Sequence, residues 1–248
     1  MLRLHTDFTF ARRLFERPIP SSSDGPTGRD LRTAHGGQQP ITGASVQLYA
    51  AGTSGDGSTA TPLIATLATT NGSGSFSITG SYRCPSQTSE VYLVATGGNP
   101  GLANGQTNPQ TALMAALGPC GNLTATTYVE VNEVTTIAAT YALAPYMQVY
   151  GAIGSNSGDA QMMAHAFTMA AELANTETGL TPGVGVPTGQ VVPSQKMNTL
   201  ANILSTCINS TGGRAGDSRE SCVCLRCPEC RCHQRRISRR GLECDGLV

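Results

Sequence analysis

Polar and apolar positions alternate along the first half of this chain and shift to helical spacing in the second. Ala44-Ser-Val-Gln-Leu-Tyr-Ala places Val46 and Leu48 on one face and Gln47 and Tyr49 on the other, the signature of a half-buried strand. Leu63-Ile-Ala-Thr-Leu-Ala is a second strand candidate, and Asn71-Gly72 a strong turn signal. Ser75-Phe-Ser-Ile-Thr alternates again, with Phe76 and Ile78 inward. Glu90-Val-Tyr-Leu-Val-Ala is almost continuously apolar, as a central strand would be, and Thr127-Tyr-Val-Glu-Val adds another.

Four segments read as helix. Gln110–Leu117 (QTALMAAL) predicts a short helix inserted before the last strand. Glu133–Leu143 spaces Val134, Ile137, Ala138 and Tyr141 for a packing face, with Pro145 stopping it. Asp159–Asn175 is Ala- and Met-rich, with Met163, Phe167 and Ala170 on one stripe. Ser194 is placed to cap a helix carrying Met197, Leu200, Ala201, Leu204 and Ile208. Gly179–Val192 reads as a Gly/Pro-rich connection. The expected class is α+β: an N-terminal antiparallel β-sandwich over 36–131, then a small helical region over 132–213 packed on it. Residues 1–35 read as a disordered leader and 214–248 as a disordered tail.

Charge divides the chain along the same lines. Between His35 and Gly213 the basic residues are Arg83 and Lys196 alone, against seven acidic ones. The first 34 residues carry six Arg, and the last 35 carry eight Arg and six of the nine Cys. An acidic central domain does not seek nucleic acid or anionic lipid. Charged residues make up only 13% of the chain, and Trp is absent. Solubility then rests on hydroxyls and amides, a habit of secreted and surface β-proteins. No apolar run approaches the roughly 18–20 residues of a transmembrane segment. Nor does Met1–Arg13 continue into the apolar stretch of a secretory signal, because Arg12 and Arg13 interrupt it.

Pro40-Ile-Thr-Gly43-Ala44-Ser-Val46, followed by Thr69-Thr-Asn-Gly-Ser-Gly-Ser-Phe76-Ser-Ile78, resembles the opening of carboxypeptidase regulatory-like and Cna protein B-type domains. The resemblance covers about residues 36–96. It implies a prealbumin-like antiparallel sandwich, usually a structural or accessory module without catalysis. In physical terms, Gly43 permits a tight turn into the strand and Ala44 packs under the facing sheet. Glu90–Gly101, Ala116–Leu123 and Asn132–Thr136 look like secreted acidobacterial-type proteins, in which a sandwich and a helical segment precede an NHL-type propeller. That likeness implies the front part of a longer protein.

Cys84 follows a strand and Cys120 precedes one. A bridge between them would close a loop of 36 residues and stabilise the fold by about 3–4 kcal/mol; the other reading is two unrelated buried thiols. Cys207 has Cys222 as its nearest partner in sequence. The run Cys222-x-Cys224-x-x-Cys227-Pro-Glu-Cys230-x-Cys232-His233 invites a zinc reading, with Cys224, Cys227, Cys230, Cys232 and His233 as ligands. Zinc ribbons, however, separate two ligand pairs by roughly 12–20 residues, and here all the ligands crowd one short run. Three readings of the tail stay open: a frame-shifted stretch of GC-rich coding sequence, a zinc or redox tail, and a basic binding tail.

No catalytic constellation emerges. His165 is the one histidine inside an expected element, and no G-x-S-x-G accompanies it. Glu130 and Glu133 lie at a strand-to-helix junction, where Glu133 reads as a first-turn carboxylate favoured by the helix dipole. Gly97-Gly-Asn-Pro-Gly does not open a helix, so it is not a phosphate loop. The expected function is a non-catalytic, secreted or cell-surface structural or binding module, without cofactor or nucleic acid, whose partner is an extracellular protein or carbohydrate. The alternative is a zinc- or redox-binding protein acting through the Cys cluster.

Overall fold

A computed structural model of the chain describes residues 32–37, 39–78, 82–124 and 126–212. The expected tail, 214–248, and the leader up to residue 31 lie outside the described residues. Among the described residues ten strands and three α-helices follow in order: β1 (Arg32–Gly36), β2 (Gln39–Pro40), β3 (Ser45–Ala50), β4 (Thr61–Pro62), β5 (Ala68–Thr69), β6 (Glu90–Thr96), β7 (Ala112–Pro119), β8 (Val129–Val131), α1 (Glu133–Leu143), β9 (Met147–Val149), β10 (Ala152–Ile153), α2 (Ala160–Leu173) and α3 (Ser194–Ile208). The class is α+β.

The larger sheet runs β4-β3-β6-β7, with β5 also paired to β3, and every pairing is antiparallel. Its central strand, β6, is buried from Glu90 to Ala95. Alternation sends Val91, Leu93 and Ala95 to one core and Tyr92 and Val94 to another, and β7 divides the same way, Leu113 and Ala115 against Met114 and Ala116. Val46 and Leu48 of β3 join the first core, together with Val129 and Val131 of β8, Phe76 and Ile78. Ala139, Ala142 and Leu143 of α1, with Met163, Phe167 and Ala170 of α2, cover the other face. Tyr49 stacks on Tyr92 across that face, ring centroids 5.4 Å apart.

β9 and β10 pair antiparallel in a two-stranded sheet, and a three-stranded sheet runs β2-β1-β8. Its β1–β8 pair is parallel, a departure from the all-antiparallel expectation. β1 also takes in residues 32–35, assigned to the leader from sequence, because Phe76 N–H donates to Arg32 O and Ala34 N–H to Gly74 O. Gly74, at φ +74°, sits where a Cβ would meet Ala34 O at 2.6 Å, so this approach requires glycine. The Pro40–Ala44 turn is locked by Thr70, whose Oγ1 accepts from Ala44 N–H and donates to Ile41 O.

Four further expectations are corrected. The segment predicted as a helix at Gln110–Leu117 is strand β7, registered on β6 along its length. A short apolar run fits either element, and burial on both faces against β6 decided for strand. Leu63–Ala68 is no continuous strand: the chain leaves β3 between β4 and β5, and the Gln47 side chain donates to Ile64 O instead. On α1 Ala138 is buried with Val134 and Ile137 packed beside it, as expected, but Tyr141 is 71% exposed, and Thr135, Thr136, Ala139, Ala142 and Leu143 make up the rest of the buried surface. Small residues let α1 lie close enough for Thr136 Oγ1 to accept Met114 N–H at 2.9 Å, blunting the free edge of β7. Ser194 makes no cap bond to α3; it is the first helical residue, after Pro193.

Candidate functional site

The described ionisable side chains concentrate where β1 meets β8. Parallel pairing sets Thr33 opposite Glu130 and leaves His35 one step beyond, on the same side of β1 as Thr33. His35 Nδ1 lies 3.3 Å from Glu130 Oε2, with side chains 31% and 15% exposed. Tyr128 OH donates to Glu130 Oε1 at 2.8 Å, and Thr33 Oγ1 sits 3.3 Å from the same hydroxyl. The hydrogen bond to Glu130 raises the His35 pKa against the lowering effect of burial, and the negative charges of Glu130 and Glu133 add to the rise. Burial pushes the Glu130 carboxyl up, but the hydrogen bonds from His35, Thr33 and Tyr128 and the His35 charge outweigh it, and the group sits below its usual range.

Glu133 follows on the first turn of α1. Asn132 caps that helix, its side chain accepting Thr135 N–H while Thr135 Oγ1 takes Asn132 N–H. Glu133 points back across the sheet end, where Oε1 accepts Gly37 N–H at 2.6 Å. Burial raises its pKa despite that bond. The sequence placed Glu133 correctly in the first turn, but its hold on the β1–β2 turn is a tertiary bond. The network ties β1, β8 and α1 together, and its titratable edge is the partly exposed His35 ring.

A second ionisable group stands alone. Glu90 begins β6, is 7% exposed, and its Oε2 has no hydrogen-bond partner. Burial pushes its pKa up to about 7. Its nearest neighbours across the ladder are Gly118 and Pro119, next to Cys120.

Cys84 and Cys120 are joined as a disulfide, Cα–Cα 6.0 Å. The bond fastens the loop before β6 to the end of β7, beside Cys120 N–H donating to Ser89 O. Cys207 near the end of α3 is disulfide-bonded as well. Cys222, Cys224, Cys227, Cys230, Cys232 and His233 lie outside the described residues. Among the described residues no group of three His, Cys, Asp or Glu could hold a metal ion, and no helix is long and apolar enough to cross a membrane. His165 is exposed on α2.

The chain matches no family model, no curated protein and no solved structure. His35 was the residue that sequence reasoning missed. Its only signal is the alternation of Thr33 and His35 with Ala34 and Gly36, too short to mark a strand.

Proposed function

We propose that this chain is a non-catalytic module of an exported or cell-surface protein, a prealbumin-like sandwich backed by helices that binds or spaces an extracellular protein or carbohydrate partner. The observation that carries the reading is the Cys84–Cys120 bond, since such structural bonds persist in oxidising compartments. The facing of β8, Phe76 and Ile78 onto one side of the larger sheet supports the sandwich. The His35–Glu130 and Glu133–Gly37 contacts join strands and helix, which supports a structural role for the groups that elsewhere do chemistry. Fractionation of the source cells with thiol trapping at lysis tests the proposal. The protein should appear outside the cytosol with Cys84 and Cys120 protected from alkylation. Recovery in the cytosol with both thiols alkylated would overturn it, and stoichiometric zinc lost on Cys227→Ser would favour the metal-binding alternative.

A further inference from the structure

Cys207 is disulfide-bonded, while the other two described cysteines, Cys84 and Cys120, are bonded to each other. Every remaining cysteine of the chain falls between 222 and 244, in the segment that follows α3 directly and lies outside the described residues. On α3, Leu200 is 40% and Ile203 60% exposed. They stand three apart, and Cys207 is one turn further on the same side, flanking the buried stripe of Met197, Ala201, Leu204 and Ile208. Two large apolar side chains therefore stand in water beside a covalent attachment point.

Charge and pattern favour one occupant. Residues 35–213 carry two basic and seven acidic side chains, whereas 214–248 carry eight Arg against five acids, so segment and body attract. Within the segment the sequence sets the apolar residues Val223 and Leu225 among Cys222, Cys224 and Cys227. We propose that the exposed face of α3 is the docking surface for the chain's own C-terminal segment, tied by a disulfide from Cys207 to a cysteine between 222 and 244. Closing the bond joins two sulfurs, and the two thiol protons and two electrons pass to a disulfide oxidant, which is reduced to dithiol. In the cell this step rests on the exported reading.

The test uses the full chain folded in a glutathione redox buffer, which separates it from the question of export. Peptide mapping without reductant should link the Cys207 peptide to one from 222–244 of the same molecule. Under native conditions trypsin should cut after Arg226 and Arg231 about tenfold faster in the Leu200→Ser/Ile203→Ser double variant and in Cys207→Ser than in the parent, reflecting lost apolar cover. Both serines replace exposed side chains without changing the charge, so the fold should survive, and an unchanged melting temperature checks that. A covalent dimer through Cys207, a free Cys207 thiol in the oxidised chain, or an unchanged cleavage rate in the double variant would each overturn the proposal.

Discussion

Glu90 is a buried carboxyl whose pKa has been raised to about 7, so its effect on stability has a definite sign. The folded protein binds the Glu90 proton more tightly than the unfolded chain does. Stability is therefore fully present below the ordinary carboxyl range near pH 4.5 and declines as pH rises toward about 7, by at most about 3 kcal/mol. Glu90→Gln keeps the shape and removes the charge. It should melt higher than the parent at pH 8 and close to it at pH 4; equal pH slopes in the two proteins would refute this account. The His35–Glu130 pair has the complementary behaviour. The raised His35 pKa gives stability that is present below about 6.5 and lost as pH rises through its folded value. The lowered Glu130 pKa gives stability present above the ordinary carboxyl range and lost as pH falls through its folded value. A double-mutant cycle with His35→Gln and Glu130→Gln should show a coupling of about 1 kcal/mol near pH 6 that fades in alkaline solution.

Single side chains seal the ends and edges of the elements. Asn132 caps α1, and Asn132→Ala should cost about 1 kcal/mol in chemical denaturation. Thr136 reaches from α1 to the β7 edge and gives the buried Met114 N–H its acceptor. Thr136→Val preserves volume but leaves that donor bare, and a loss of about 1–3 kcal/mol is expected. If the valine variant denatures with the parent, Thr136 is only filling space. At the far end of α3, Asn108 Nδ2 donates to both Cys207 O and Ile208 O at 2.9 Å, a C-terminal cap supplied from a loop about 100 residues away in sequence.

For the molecule as a whole, the Cys84–Cys120 bond closes a 36-residue loop that contains β6 and β7. Reduction, or Cys84→Ser with Cys120→Ser, should lower stability by about 3–4 kcal/mol. Coincident denaturation curves for reduced and oxidised protein would sink that expectation. The bond sits at one end of the larger sheet and the His35–Glu130–Glu133 network where β1 and β8 meet α1, so the two fasten different parts of the same core.

Elements with a long, one-sided pattern were legible in the chain itself. β3 followed from alternation and α1 through α3 from helical spacing, because burial of one face demands that period wherever the element lies, and β6 followed from its continuous apolar run, because both its faces are covered. Phe76 and Ile78 were recognisable as core residues on the same ground. Three things were settled only in the tertiary structure. Gln110–Leu117 became a strand because β6 offered it a full ladder, and a short apolar run has no period to resist that. α1 turned Thr136 inward and Tyr141 outward because the β7 edge needed a hydroxyl more than the core needed another large side chain. The His35 network formed because a parallel pairing brought together residues 95 positions apart, and local sequence carries no record of a contact made at that distance.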